Sequence, residues 1–277
     1  MGSYLGQNFL IDSKVRSYIA EHIAKMYKEL GCEALIEIGP GKGAITKLID
    51  TISDNFFVIE KDVSLIEDGK LKIENGTLIQ GDVLEVDVDK LLQDKKLDSK
   101  KTLVVGNLPY YITSPILRKF FGNGSQNYAG GIFMLQDEVG QKLRFDAKKK
   151  SYLRWLINYA YQVHYLKGVP GKCFKPIPKV KSCLVELKME DGKLNIERGK
   201  LIQFLEMFAP FSRKTLGSIE KIIAKHSVTS TIKAPSGPVE SSPSPRDKMI
   251  KFVIPEELKK KRLEELSFQE LEQIIKN

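Results

Sequence analysis

Asn107-Leu108-Pro109-Tyr110 sets a neutral amide, a rigid turn and an aromatic ring directly after the apolar run Leu103-Val104-Val105-Gly106. The Asn107 side-chain oxygen and the Leu108 carbonyl are two acceptors that can hold one amino group by both of its N–H bonds. Such acceptors favour a pyramidal nitrogen with its lone pair aimed at an electrophile, and the stabilisation grows as positive charge develops in the transition state. Asn suits this better than Asp, because no full negative charge then competes beside a cationic methyl donor. Tyr110 offers a stacking face for a base taken out of its helix. By itself the tetrapeptide also fits a strand-ending proline turn with Tyr110 packed on the core.

A second group of residues bears on a cofactor. Gly39-Pro40-Gly41-Lys42-Gly43-Ala44 follows the apolar run Ala34-Leu35-Ile36-Glu37-Ile38. Its spacing satisfies the pattern G-x-G-x-x-G/A, in which Gly39 and Gly41 let backbone approach a ligand and the following helix offers free N–H groups to an anion. That anion is pyrophosphate for a dinucleotide and the methionine carboxylate for S-adenosylmethionine, so the turn alone fits both. Glu60 ends the run Phe56–Ile59, roughly twenty residues past the turn, where an acid accepts from both ribose hydroxyls. Asp82 follows Thr77–Ile79 and can accept from an adenine amino group. An isolated carboxylate is commonly a solvated strand end, but two at the ends of consecutive strands favour ligand contact. Methyl transfer to an exocyclic adenine nitrogen accounts for Asn107 to Tyr110, whereas no residue set supplies an acid for hydride transfer. The proton leaves after transfer, so neither a strong base nor a metal is required. Phe174, next to a proline turn, can close the sandwich on the base from the side opposite Tyr110, or serve as an ordinary core residue.

The elements that must position these residues alternate along the chain. Asp12-Ser13 caps a helix running to about Leu30, with Val15, Ile19, Ile23 and Met26 at helical spacing and Gly31 at its end. Short apolar strands over 34–38, 56–59, 77–79, 103–106 and 131–135 are separated by helical stretches, including Ala44 to about Ile52 and Asp137 to about Arg144. Thr113-Ser114-Pro115 reads as a helix start with Ile116, Leu117, Phe120 and Phe121 buried, broken at Gly122-Asn123-Gly124-Ser125. Tyr152 to Leu166 reads as a short helix feeding a strand. Phe174 to Val180 is held extended by prolines before the strand Ser182 to Lys188. The pattern predicts an α/β, Rossmann-like fold with a mainly parallel sheet covered on both faces.

Asp191-Gly192 marks a boundary between a cofactor-binding catalytic domain over 1–190 and a helical domain over 191–277. In the second, helices are expected over 199–208, 213–225, 255–266 and from 267 onward. The Ser- and Pro-rich stretch 227–246 is expected to be a mobile loop. The 277 residues carry a formal charge of +9 and 42% hydrophobic side chains, which points to a globular core and, weakly, to a polyanionic partner. Cys32, Cys173 and Cys183 are odd in number and widely spaced, so neither a zinc site nor a disulfide framework is expected. No apolar run is long enough to span a membrane and no signal peptide is recognisable, which predicts a soluble cytoplasmic protein.

Taken in order, Gly6-Gln7-Asn8-Phe9-Leu10, Glu37-Ile38-Gly39-Pro40-Gly41, Asn107-Leu108-Pro109-Tyr110, Met134-Leu135-Gln136-Asp137-Glu138-Val139, Phe174 to Val180, Ser212-Arg213-Lys214-Thr215-Leu216 and Arg262 to Ser267 resemble the bacterial small-subunit ribosomal RNA adenine dimethyltransferase family. The resemblance implies that Asn8, Leu10, Gly39, Glu60, Asp82 and Asn107 line an S-adenosylmethionine pocket. It implies that Asn107 to Tyr110 present an adenine, and that two adjacent adenosines are each methylated twice at N6. The implied partner is small-subunit ribosomal RNA in an immature subunit, docked in part by Arg213 and Lys214 of a monomeric enzyme without metal. Tyr111 departs from the family, which usually has Asn there, and the Ser/Pro-rich stretch is atypical. The competing expectations are a large-subunit ribosomal RNA methyltransferase of the macrolide-resistance type and a non-catalytic nucleic-acid-binding factor on the same fold.

Overall fold

The structure is a computed structural model, described here for residues 8–67, 69, 71–122, 128–144, 146–147, 152–190, 196–229 and 252–276. The Gly122 break beyond Gly122 itself, the Asp191-Gly192 turn and the Ser/Pro-rich stretch from residue 230 lie outside the described residues. The chain divides into two compact units, Met1–Ala147 with Leu153–Asp191, and Lys148–Tyr152 with Gly192–Asn277.

The strands are β1 (Phe9–Leu10), β2 (Ala34–Ile38), β3 (Phe56–Glu60), β4 (Thr77–Gln80), β5 (Thr102–Asn107), β6 (Gly130–Gln136), β7 (Tyr161–Val169), β8 (Phe174–Lys175) and β9 (Ser182–Met189). The helices are α1 (Ser13–Glu29), α2 (Thr46–Ile49), α3 (Val63–Glu67), α4 (Val88–Asp94), α5 (Thr113–Leu117), α6 (Asp137–Leu143), α7 (Tyr152–Asn158), α8 (Arg198–Phe208), α9 (Leu216–Thr229) and α10 (Phe268–Lys276). Seven strands form one sheet in the order β4-β3-β2-β5-β6-β9-β7. β4, β3, β2, β5 and β6 run parallel, β9 pairs antiparallel with β6, and β7 pairs antiparallel with β9 at the edge. β1 and β8 form a separate antiparallel pair, with Phe9 opposite Lys175 and Leu10 opposite Phe174.

β2 and β3 are buried along their whole length, as central parallel strands covered on two faces must be. Successive side chains alternate between the two sheet faces. Ala34, Ile36 and Ile38 meet Val88, Leu92, Ile116 and Phe120 in one apolar layer. Leu35, Leu103 and Val105 meet Ile19, Ile23 and Met26 of α1 in the other. The α1 stripe is the one its helical spacing requires, and Asp12 caps the helix by accepting from the Val15 N–H at 2.9 Å.

Several elements are shorter than their sequence signals. The helix expected over 44–52 is only α2, since Gly43 is still in the left-handed region at φ +72° and its N–H closes a turn onto the Pro40 carbonyl at 3.0 Å. Thr113 does not cap α5 as expected. Its hydroxyl donates back to the Pro109 carbonyl at 3.1 Å, and α5 passes into a π-helical turn, Arg118–Gly122, that buries Phe120 and Phe121.

In the second unit, α8, α9 and α10 enclose an apolar core in which Phe204 stacks on Phe208 with 4.4 Å between ring centroids. The helix expected over 255–266 is instead two single 3₁₀ turns, Glu256–Leu258 and Leu263–Glu265. The backbone between those turns is committed elsewhere: the N–H groups of Leu216 and Gly217 donate to the carbonyls of Lys261 and Lys259 at 2.8 and 3.0 Å. The helix expected from Arg213 starts at Leu216, leaving Arg213 and Lys214 exposed in the preceding turn.

Asp12→Ala removes the acceptor at the start of α1 and is expected to lower unfolding free energy by about 1 kcal/mol. Urea denaturation followed by circular dichroism measures the change, and Asp12→Asn should recover most of it.

Candidate active site

Between β2 and β5 the strand order reverses, because the chain leaves β2 toward β3 and β4 and returns to pair β5 on the other side. A crevice at that point, outside the carboxyl ends of the strands, is where open α/β sheets take ligands. Ile38 lies opposite Gly106 in the β2–β5 ladder, so the glycine turn after β2 and the tetrapeptide after β5 emerge side by side. Neighbouring strand ends are laced together there. The Gly39 N–H donates to the Ile59 carbonyl at 2.9 Å, Gly81 N–H to the Glu60 carbonyl at 2.9 Å and Leu108 N–H to the Met134 carbonyl at 3.1 Å.

The cleft between them holds about 1050 Å³ of empty space counted out to solvent. One wall is the glycine turn. Gly39 and Gly41 take φ of +63° and +59°, which side chains rarely adopt, and a Cβ on Gly41 would stand 3.2 Å from the Phe9 ring. Phe9 therefore packs directly under the turn, with the Lys42 ammonium 4.6 Å from its ring centre.

Glu60 is buried at the end of β3. Its two carboxylate oxygens accept from the Gly41 N–H at 3.1 Å and the Asp62 N–H at 2.8 Å. Burial raises its pKa against those bonds. Each oxygen keeps lone-pair capacity toward the cleft. Asp82 accepts from Lys61 Nζ at 2.7 Å and from the Leu84 N–H at 2.9 Å, and the Lys61 hydrogen bond holds its carboxyl below the usual range. The loop behind Asp82 is gripped by Lys119, whose ammonium donates to the carbonyls of Val83 and Val86 at 2.7 and 2.6 Å.

On the opposite wall, the Asn107 amide nitrogen donates to the Asn8 carbonyl at 3.2 Å. Its oxygen is thereby left as the acceptor. Among the described residues no donor reaches the Leu108 carbonyl, while the Leu108 side chain is sealed in the core at 1% exposure. Pro109 is stapled to α5 through the Ile112 N–H at 3.2 Å and the Thr113 hydroxyl. The Tyr110 hydroxyl shares a 2.6 Å hydrogen bond with Ser182 Oγ, which fixes the ring at the cleft wall, and Tyr111 beside it is 65% exposed.

Over residues 2–233 the chain matches the family model described as ribosomal RNA adenine dimethylase. It is 35% identical over 228 residues to the ribosomal RNA small subunit methyltransferase A of Mycoplasma mycoides subsp. mycoides, covering 79% of this chain and 83% of the relative. The protein of the same name from Clostridium acetobutylicum is 34% identical over 225 residues, 78% of each. The chain belongs to the ribosomal RNA adenine dimethylase family. Two solved structures share the dimethylase fold: a dimethyladenosine transferase from Plasmodium falciparum, with TM-score 0.61, 19% identity and 95% of each chain covered, and the 23S rRNA methyltransferase ErmE, with TM-score 0.55, 18% identity and 98% and 100% covered.

Within this dimethylase chain, Asn8, Leu10, Gly39, Gly41, Glu60, Asp82 and Asn107 to Tyr110 all line the one cleft. Phe174 does not. It is 1% exposed in the layer of Leu10, Ile19 and Leu184, because the β1–β8 register that sets it beside Leu10 turns its ring into the core. Full burial of such a ring stabilises by about 1.5–3 kcal/mol, which opposes its release toward a base. The aromatic residues that do line the cleft are Phe9, Tyr110 and Tyr111. Arg213 and Lys214 lie in the other unit.

Two contributors were not anticipated from sequence. Ser182 carries no signal that it would meet Tyr110. Glu37 does carry one, as the only charge in the run Ala34–Ile38. It is 2% exposed in the cleft wall, with Oε2 lacking a hydrogen-bond partner among the described residues. Burial pushes its carboxyl up to about 8, and the nearby Glu60 adds in the same direction.

That shift has a definite sign. The folded chain keeps the Glu37 proton up to about pH 8, whereas the unfolded chain gives it up in the ordinary carboxylate range near 4.3. Folded protein binds more protons in that window, so this residue's contribution to stability falls as pH rises from about 4 to 8 and levels off above. Glu37→Gln, neutral at every pH, is expected to melt close to the wild type at pH 4.5 and above it at pH 8.5. Thermal melts across that range measure the difference, and parallel curves would remove the buried acid as the cause.

Proposed function

We propose that the chain transfers methyl groups from S-adenosylmethionine to N6 of two adjacent adenosines near the 3′ end of small-subunit ribosomal RNA, acting as a monomer on an immature subunit. The observation that carries this reading is the bond from Asn107 Nδ2 to the Asn8 carbonyl. With the amide nitrogen spent, Asn107 Oδ1 and the Leu108 carbonyl are the pair of acceptors that an amino group needs.

The residues present fit the donor. Glu60 has lone pairs left for the two ribose hydroxyls, and the left-handed Gly39 and Gly41 keep side chains out of the space beside the turn. Asp82 is charged and held by Lys61, and it accepts from an adenine amino group. When bound, S-adenosylmethionine supplies an electrophilic sulfonium methyl group. The chain's own part is to orient the target. Asn107 and Leu108 accept the two N–H bonds of the amine, Pro109 fixes the spacing of those acceptors, and Tyr110, anchored through Ser182, receives the face of the base. As the nitrogen gains positive charge, both acceptors hold it more tightly, and its proton passes to solvent after transfer. Arg213 and Lys214, exposed ahead of α9, supply phosphate contacts in docking.

The direct test is transfer of labelled methyl groups to immature small subunits lacking adenine methylation, with the positions mapped by primer extension. Modification of large-subunit RNA alone would overturn the substrate assignment, and binding without transfer would overturn the enzymatic one. Asn107→Ala is expected to lower kcat by about 10²–10³-fold with little change in melting temperature, since the loss is of transition-state stabilisation. Unchanged turnover would remove the proposed role.

A further inference from the structure

We propose that the loop between β8 and β9, together with the residues that lead into it, is an RNA-backbone clamp, gripping the strand that carries the target adenosine through Lys172, Lys175, Lys179 and Lys181. The inference rests on the RNA-methylation reading and adds a contact surface to it.

Both ends of this loop are fixed to the cleft. At its start Lys175 lies opposite Phe9 in the β1–β8 pair, and Phe9 lines the cleft. At its end the Lys181 carbonyl accepts from the Asp137 N–H at 2.8 Å, and the next residue, Ser182, holds the Tyr110 hydroxyl. The segment therefore stands at the cleft mouth. Between Gly171 and Ser182 the sequence has Lys172, Lys175, Lys179 and Lys181 and no acidic residue. All four lysines are exposed, and among the described residues none of them is ion-paired, in contrast to Lys61, Lys90 and Lys101 on the same unit. Ile177, between Pro176 and Pro178, is 69% exposed.

Four exposed lysines with no ion pair among the described residues, and an exposed aliphatic side chain between them in sequence, fit a single strand of nucleic acid. Lysines meet the phosphates, and the Ile177 side chain lies against a ribose or an unstacked base. A neutral or basic protein surface offers nothing for the four charges. The prolines and the buried Phe174 anchor keep the loop's own ordering cost on binding low.

The test uses the full chain and immature small subunits, with binding followed by fluorescence of labelled protein over a series of KCl concentrations at fixed magnesium. Replacing Lys175, Lys179 and Lys181 together by Gln is expected to reduce the slope of log affinity against log salt by about 2, since each phosphate contact with a single strand contributes about 0.7. Affinity for S-adenosylmethionine, measured by calorimetry on the same variant, and its melting temperature should stay as in the wild type. A second triple, Lys95→Gln, Lys96→Gln and Lys100→Gln, makes the same charge change near the amino end of β5, away from the cleft. It should leave the slope nearly intact.

An unchanged slope in the first variant, an equal loss in both, or weaker binding with the slope preserved would each overturn the clamp. The last outcome would assign the loop to an uncharged surface. If the clamp fails in these ways while the wild type still binds and methylates the subunits, only this inference falls. A wild type that does neither would fell the functional reading and the clamp with it.

Discussion

The pairing of β2 with β5 is the constraint on which the rest of the site depends. It joins strands far apart in sequence, and it does so where the order of connection reverses within the parallel part of the sheet. Parallel strands end in the same direction, so everything that follows a strand is delivered to the same edge. The backbone bonds from Gly39 to Ile59 and from Gly81 to Glu60 are continuations of the ladders past their last full residues. They lock the three acidic or glycine-bearing ends at fixed spacing before any ligand is present. A change that loosened β2 against β5 would therefore disturb the glycine turn and the Asn107 tetrapeptide together.

The cleft is also electrically graded. Glu60 and Glu37 sit on its buried side, where desolvation raises both carboxyl pKa values, while the Lys61 hydrogen bond lowers that of Asp82 at the more open side. Asn107, at the reacting end, is uncharged at any pH. In the proposed reaction, Asn107 therefore brings no full charge of its own to the amine. Dipoles are left to act there, and because they are already oriented they need no rearrangement as charge develops.

Much of this was legible in the sequence because it follows from local rules. Apolar runs ending in Gly39, Glu60, Asp82 and Asn107 read as strand ends, and the α1 stripe reads as a helix face. The features that escaped were those decided by partners remote in sequence. Phe174 next to a proline turn fits a base-stacking residue and a core residue alike in sequence, and the register against Leu10 is what sends its ring inward. The segment 255–266 has the composition of a helix. Its carbonyls at Lys259 and Lys261 are instead taken by the start of α9, and no local pattern announces that. Ser182 shows its importance only once Tyr110 is folded against it.

The seam formed by β1, β8 and the Asn8–Asn107 bond bears on when the protein becomes competent. The residues that complete the cleft come from the start of the chain, from its middle and from the stretch just before β9. Domains fold as units during synthesis, and this unit draws its site from both of its ends. Phe9 gains its strand partner, and Tyr110 its anchor, only after residues 175 and 182 have been made. A product that ends before residue 182 therefore lacks both the Tyr110 anchor and the strand β9 that joins β6 to β7.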